Sequence, residues 1–213
     1  MLGVAVLTWA AAQPLHAQTG PELARALQSY ERGEHVQAAA QFEALARQGL
    51  PAARYNLAVM HLRGQLPAAS RTEALRLMLS AAEGGFVTAM LGLGELYDSQ
   101  LLGRPDLAAA YRWYLRAAEA GSVDAQVEVG TAAFLGRGTA RDAAAAARWY
   151  RSAAAGGDVG AQYLIASMYE QGDGVVRDLR LARFWYDIAA KNGDTVAPAK
   201  VREIDARLAG RPG

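Results

Sequence analysis

The chain contains no cysteine and very little lysine, and each absence excludes a class of protein. Without cysteine, neither disulfide bonds nor a lipid anchor on an N-terminal cysteine is available, so packing alone must hold the fold together. The lysines are Lys191 and Lys200. A serine nucleophile three residues before either of them would fall at position 188 or 197, and these positions hold Ile188 and Ala197. The sequence therefore excludes a Ser-x-x-Lys acyl-transfer site.

Long apolar runs and basic tracts are also missing. The run from Leu2 to Ala12 is too short to span a bilayer, which needs ~20 residues, and charged residues interrupt every later candidate. The charges nearly balance, with 22 Lys and Arg against 21 Asp and Glu. No basic run is interleaved with aromatic residues, which argues against a nucleic-acid partner.

The first residues have the outline of a secretory signal peptide. The apolar run from Leu2 to Ala12 is followed by Pro14 and by a cleavage-like Leu-His-Ala ending at Ala17, although no basic residue precedes the run. The alternative is an apolar N-terminal helix of the mature fold. We expect a signal peptide at 1–17, and a mature chain from Gln18 that is periplasmic or secreted and has no transmembrane segment.

Residues for metal binding or catalysis are scarce. The histidines are His16, His35 and His61, without the spacing of an HExxH motif or of a ligand pair. Neither GxSxG nor GxxxxGK occurs. We therefore interpret His35 and His61 as exposed or capping residues, and we predict a non-enzymatic protein with no catalytic residue, metal or cofactor.

A period of 36 residues runs through the chain. The segments Tyr111 to Gln126 and Ala147 to Gln162 agree at nine of sixteen positions. Three series keep this phase, namely Gly49, Gly85, Gly121, Gly157 and Gly193; Ala53, Ala89, Ala125, Ala161 and Ala197; and Trp113, Trp149 and Trp185, each followed by a tyrosine. A regular period of this length indicates a repeated supersecondary unit.

Each unit has the pattern of two helices. Helix A is predicted over Val87 to Asp98, where Gly94 is small enough for a neighbouring helix to approach closely. Asp106 stands at the N-cap of helix B, which is predicted over Leu107 to Ala120 and ends at Gly121. Caps in the same phase are Ser70, Asp142 and Asp178, and Ser70 with Glu73 has the pattern of a capping box. The Trp-Tyr pairs are interpreted as core residues and not as a stacking platform.

Such helix pairs bury their apolar faces only by stacking, so the fold class is predicted to be all-α, an α-solenoid. We predict one solenoid over 18–213, with its first pair shorter and turning at Gly33. The expected units are 21–50, 51–85, 86–121, 122–157 and 158–193, followed by a capping helix over 195–208.

The strings AQVEVGTAAFLGRGTARDAAAAARWYRSAAAGGD and AQYLIASMYEQGDGVVRDLRLARFWYDIAAKNGD closely resemble Sel1-like repeats, which are relatives of tetratricopeptide repeats. The shared elements are a helix A with small residues, the GxG loop, the Asp cap, the WYxxAA core and the final glycine. Leu77 and Met78 replace Trp and Tyr in the second repeat, and Gln100 and Leu102 replace the loop glycines in the third. These departures concern the loop conformation and leave the fold expectation unchanged.

The resemblance implies a right-handed solenoid that serves as a scaffold or adaptor for proteins, and exported bacterial members are associated with the cell envelope. We expect a protein or peptide partner that binds in the concave groove. One alternative is a hydrolase or binder of β-lactam or cell-wall compounds, because some cysteine-rich members resemble such proteins. Another is a structural component of an envelope assembly, bound through the convex face.

In tetratricopeptide-like stacks, helix A lines the concave groove, and this geometry indicates three phases of candidate residues. They are Tyr55, Leu91, Val127 and Tyr163; Val59, Glu95, Thr131 and Ser167; and Leu62, Asp98, Phe134 and Glu170. Their apolar stripe and acidic spots would suit a peptide with basic and apolar residues. The alternative is that the first phase is partly buried between helices and contributes only to packing.

Overall fold

The structure is a computed structural model that describes residues 20–210, so the predicted signal peptide at 1–17 lies outside the described residues. Within 20–210 the chain forms eleven α-helices and no strand. Their bounds are α1 Pro21–Glu31, α2 His35–Arg47, α3 Pro51–Leu62, α4 Arg71–Glu83, α5 Val87–Asp98, α6 Leu107–Glu119, α7 Val123–Leu135, α8 Ala143–Ala155, α9 Val159–Gln171, α10 Leu179–Lys191 and α11 Ala197–Ala209. The predicted all-α class is confirmed.

The helices fall into two compact units that divide between Gly85 and Phe86. In the first unit, each helix from α1 to α4 packs on the next along the chain, and the same holds from α5 to α11 in the second. Packing between chain neighbours is the contact pattern of stacked helical repeats and supports the predicted solenoid class. We call α3, α5, α7 and α9 the A helices, and α4, α6, α8 and α10 the B helices.

Side-chain caps start the B helices. The carboxylates of Asp106 and Asp142 accept hydrogen bonds from backbone N–H groups three residues later, at 2.8 Å in both cases. The Asp178 carboxylate accepts from the N–H groups of Arg180 and Leu181. These bonds satisfy amides that have no partner inside the helix, as the predicted N-caps require.

The predicted capping box at Ser70 forms only in part. The Ser70 hydroxyl accepts a hydrogen bond from the N–H of Glu73 at 3.3 Å. The Glu73 carboxylate, however, pairs with Arg76 at 2.6 Å and does not reach back to Ser70. The N–H of Ser70 donates instead to Nδ1 of His61 at 3.2 Å. His61 is thus a capping residue, one of the two alternatives expected for it.

Glycine ends the B helices in the left-handed conformation that an L side chain rarely adopts. Gly85, Gly121, Gly157 and Gly193 have φ of 84°, 94°, 98° and 102°. Each reverses the chain into the next segment, which explains why the glycine series keeps its phase.

Helix A and helix B of one repeat meet at a glycine and a tyrosine. A Cβ atom on Gly94 would overlap the ring of Tyr114, and one on Gly130 would lie 2.9 Å from ring carbons of Tyr150. Tyr114, Tyr150 and Tyr186 are buried, as predicted for core residues, whereas their partners Trp113, Trp149 and Trp185 are only half-buried. The small residues of helix A therefore make room for the tyrosine of helix B.

The second glycine of the GxG loop has a packing role between repeats. A Cβ atom on Gly138 would overlap the backbone carbonyl of Leu107, and one on Gly174 would overlap that of Ala143. Each loop thus lies against the first residue of the preceding B helix. Glycine is needed here for close approach as well as for its positive φ, which is 70° at Gly138 and 68° at Gly174.

The loop that lacks these glycines still joins its helices in the same way. Between α5 and α6, Gly103 adopts a φ of 105° and the N–H of Asp106 donates to the carbonyl of Tyr97 at 2.8 Å. The equivalent bond from Asp142 to Ala133 is also 2.8 Å. Repeat three therefore changes its loop and keeps the start of helix B.

The predicted capping segment forms α11. Ala197 and Ile204 are buried against a core cluster that includes Tyr186, while Val201 and Leu208 pack at its margin. None of the helices in 20–210 has the length and hydropathy that crossing a bilayer requires.

Candidate protein-binding face

The twelve predicted groove residues all lie on A helices. Tyr55, Val59 and Leu62 are half-buried on α3 of the first unit, and the other nine lie on α5, α7 and α9 of the second. In the second unit Glu95 is exposed, Glu170 is buried, and the remaining seven are half-buried. These seven are Leu91, Asp98, Val127, Thr131, Phe134, Tyr163 and Ser167.

Several of the apolar candidates also support the core. Val127 and Phe134 pack against the cluster around Tyr150. The rings of Tyr163 and Tyr186 make an edge contact, with centroids 5.0 Å apart. Because these residues are only half-buried, each leaves part of its surface for a partner while the rest packs between helices.

Two hydroxyl candidates have hydrogen bonds within the second unit. Thr131 Oγ1 lies 3.0 Å from the hydroxyl of Tyr150, so it helps to fix that buried ring. The hydroxyl of Ser167 accepts a hydrogen bond from the side-chain amide of Gln171 at 3.1 Å. Thr131 thus links helix A to helix B, whereas the bond of Ser167 lies within α9.

Glu170 has to be removed from the predicted groove. Its carboxylate is buried beneath α11, where it pairs with Arg207 at 2.6 Å and with Lys200 at 3.4 Å, and it accepts a hydrogen bond from Tyr186 at 3.1 Å. Burial alone would raise the pKa of Glu170, but these hydrogen bonds and cations outweigh it and lower the pKa below its usual value. The carboxylate thus anchors α11 and is not available to a partner.

Asp98 is also neutralised within the second unit. Arg137, which follows α7, donates to the Asp98 carboxylate at 2.8 Å. The pair joins α5 to the loop after α7. With Glu170 and Asp98 both paired, the unpaired acidic charge of the A helices lies elsewhere.

The unpaired acidic charge of the A helices is on Glu95, Asp124 and Glu128, which form no ion pair among the described residues. Partial desolvation raises the pKa of Glu95, and the charges of Glu128 and Asp124 raise it further. Desolvation also raises the pKa of Glu128, helped by Asp98 and opposed by Arg137. Carboxylates on α5 and α7 therefore act on each other, which is the electrostatic condition for attracting a cation.

Sequence reasoning missed Asp124 and Glu128. It followed positions 36 residues apart, and the equivalents of Glu128 are Gly92 and Leu164, which are not acidic. The signal was present in a different form, because Asp124 and Glu128 are four residues apart and so share a helix face.

Charge is segregated between the two kinds of helix in the second unit. Its A helices carry five carboxylates and no Lys, Arg or His, namely Glu95, Asp98, Asp124, Glu128 and Glu170. Its B helices carry seven cations and two carboxylates, namely Arg112, Arg116, Arg148, Arg151, Arg180, Arg183 and Lys191 with Glu119 and Asp187. A partner therefore meets opposite potentials on the A and B helices.

A cavity between α5, α6 and α7 is small. It is lined by residues that include Asp98, Tyr114, Glu128 and Arg137, and its volume of about 20 Å³ accommodates roughly one water molecule. A site for a drug-sized molecule is usually at least ~300 Å³. No group of three or more His, Asp or Glu side chains in residues 20–210 is arranged to hold a metal ion.

The repeats, their caps and their glycine–tyrosine contacts define a helical-repeat protein. The family described as Sel1 repeat matches residues 51–86, 87–122, 123–158 and 159–194. The chain belongs to the Sel1 repeat family, and the resemblance stated from its motifs is confirmed. No curated protein matches it significantly.

Solved structures that share the fold include the following two. A protective antigen of uropathogenic Escherichia coli strains, which displays an SLR fold, is 31% identical over 90% of this chain and 42% of its own, with a TM-score of 0.80. A Sel1 repeat protein from Oxalobacter formigenes is 32% identical over 79% of this chain and 49% of its own, with a TM-score of 0.72. The chain thus spans less than half the length of either protein.

Proposed function

We propose that this protein is a non-enzymatic scaffold of the bacterial cell envelope that binds a basic and apolar segment of another protein on helices α5 and α7. Sel1 repeat proteins are generally scaffolds for protein–protein interaction. The expected signal peptide at 1–17 supports an exported location.

The observation that carries the proposal is the unpaired acidic charge on neighbouring A helices. Glu95 and Glu128 have raised pKa values because each is partly desolvated and close to other carboxylates. A cationic side chain of a partner would relieve this repulsion, and a charge-assisted hydrogen bond is stronger than a neutral one. The half-buried Leu91 and Val127 offer apolar surface on the same two helices.

The experiment compares two labelled peptides by fluorescence anisotropy. One is a short helical peptide with lysine and leucine at helical spacing, and the other has glutamate in place of each lysine. The protein is expected to bind the lysine peptide and not to bind the glutamate peptide. Equal binding of both peptides would contradict the electrostatic basis of the proposal.

Matched variants locate the binding face. The double variant Glu95→Gln, Glu128→Gln keeps the side-chain shape and removes both charges, so it should weaken lysine-peptide binding at least ~10-fold, as expected for two lost charge-assisted contacts. The control is Glu119→Gln on the B helix α6, which removes an exposed carboxylate elsewhere. Unchanged binding in the double variant would place the peptide on another surface.

A further inference from the structure

The last B helix, α10, carries apolar residues on an outer face where its equivalents do not. Phe184 is 53% exposed, and the residues at its position in α6 and α8 are Arg112 and Arg148. Leu181, one turn earlier, is 40% exposed, and its equivalents in α6 and α8 are Ala109 and Ala145. The repeat pattern therefore does not require these side chains, and their exposure lowers solubility without contributing to the core.

Leu181 and Phe184 are part of a larger apolar surface. The ring of Phe184 contacts Trp185, with centroids 5.4 Å apart, and Ile188 follows one turn later, half-exposed. We call Leu181, Phe184, Trp185 and Ile188 the α10 patch. Trp185 also packs against the core cluster formed by α7, α8 and α9, so the patch has a rigid base.

Exposed arginines stand at positions related to the patch, because Arg148 is one repeat before Phe184 and Arg180 is four residues before it on α10. Arg148 and Arg151 are the only charged residues of α8, and both are exposed; Arg180 is exposed at the start of α10. None of the three forms an ion pair with another described residue. By contrast, Arg183 pairs with Asp205 and Lys191 with Asp187.

We propose that the α10 patch docks on an anionic lipid surface. Leu181 and Phe184 are exposed along one helix, so they suit a broad partner surface that they can enter. The unpaired arginines supply the complementary charge for anionic headgroups. Aromatic and aliphatic side chains beside arginines are the combination by which helices lie in a membrane interface. This site is separate from the proposed peptide site on the A helices.

The test measures co-sedimentation with vesicles of phosphatidylglycerol mixed with phosphatidylcholine, and with vesicles of phosphatidylcholine alone. The protein should bind the mixed vesicles, with binding that falls as salt rises, and should bind the neutral ones weakly. Both the full chain and a chain from Gln18 are measured. Binding by the full chain alone would assign it to the apolar N-terminal run and overturn the proposal.

The variant Phe184→Arg distinguishes membrane binding through charge alone from binding that needs the apolar ring. Arginine is the residue at the equivalent positions 112 and 148, so the fold should tolerate it, and it adds a positive charge. Binding driven by charge alone would become tighter, whereas binding that needs the apolar ring should weaken by about fivefold or more. The control is Val36→Arg, the same kind of change at a residue of α2 that is 71% exposed in the first unit.

A second variant tests the role of the α8 arginines in vesicle binding. Arg148→Glu with Arg151→Glu should weaken binding to the mixed vesicles by more than about tenfold, because each cation near an anionic surface contributes about fivefold. Circular dichroism confirms that every variant is helical. Unchanged or tighter vesicle binding by Phe184→Arg would overturn the proposal. A concentration-dependent dimer that this variant abolishes would also overturn it, because the patch would then join two copies of the chain.

Discussion

Gly94 of α5 lies directly against the ring of Tyr114 on α6, so closely that a methyl group on the glycine would overlap the ring. The equivalent pair, Gly130 and Tyr150, is slightly less tight, with 2.9 Å between the added Cβ and the ring carbons. The tyrosine thus fills the space that helix A leaves free. Close packing of this kind makes the repeat sensitive to a single added carbon.

Replacing Gly94 by alanine should therefore destabilise the protein. The overlap with Tyr114 has to be relieved by a shift of the ring or of helix A, which should lower the free energy of unfolding by ~1–3 kcal/mol. The control is Gly160→Ala on the exposed side of α9, where the added Cβ would lie 3.3 Å from Asp158 Oδ1 and no ring is in the way, so the change in stability should stay below ~1 kcal/mol. Urea denaturation measures both, and equal stability of the two variants would refute the packing role of Gly94.

The loop glycines allow a second matched comparison. Gly193 and Gly174 both have positive φ, but only Gly174 lies against another backbone segment, the carbonyl of Ala143. Gly193→Ala should cost about 1–2 kcal/mol for the left-handed conformation alone. Gly174→Ala should cost more, by a further ~1–3 kcal/mol, because the two repeats must separate. Thermal denaturation showing equal losses would exclude a packing role for Gly174.

Removing the guanidinium of Arg207 should loosen α11. Glu170 would remain buried with Lys200 and Tyr186 but without its shortest ion pair, so Arg207→Ala is expected to cost ~1–3 kcal/mol. The control is Arg183→Ala, which breaks a solvent-exposed pair with Asp205 and should leave the stability nearly unchanged. Amide hydrogen exchange in α11 should speed up only in the first variant.

The same ion pair predicts a dependence on pH. Because the folded protein lowers the pKa of Glu170, its stabilising contribution is present above the unfolded pKa of about 4.5 and is lost as the pH falls through the lower folded value. Arg207→Ala should therefore lie close to the wild type in stability at strongly acidic pH and well below it at neutral pH. A constant difference across this range would contradict the assignment.

Glu128 should behave in the opposite way. Its pKa is raised in the folded protein, so its charged form costs stability, and this cost disappears as the pH falls through the raised value. Glu128→Gln is expected to be more stable than the wild type at neutral pH and no more stable near pH 4. Chemical denaturation at both pH values measures the difference, and a destabilised variant at neutral pH would show that the carboxylate has a stabilising partner.

Periodicity made most of the fold predictable. The glycines in phase with Gly121, the caps at Asp106 and Asp142 and the core tyrosines all depend on local rules that recur every 36 residues. The second loop glycine is different. The motif contains Gly138 and Gly174, but their contact with the preceding B helix is between repeats, and one sequence does not show which backbone lies nearby.

The candidate site was less predictable because it depends on departures from the period. Glu170 and Asp98 looked available from their phase, yet Arg207 and Arg137, each more than 36 residues later, neutralise them. Glu128 has no acidic equivalent in other repeats and so was missed. Ion pairs between long side chains of different repeats can be identified only in the structure, whereas the pattern of helices can be predicted from the sequence.

The most direct test of the central claim is a charge exchange. The double variant Glu95→Lys, Glu128→Lys and the wild type are each titrated with the lysine–leucine peptide and with its glutamate counterpart, and anisotropy reports the dissociation constants. We predict that the wild type prefers the lysine peptide and that the variant prefers the glutamate peptide. If the folded variant kept the preference of the wild type, the carboxylates of α5 and α7 would not be the binding site.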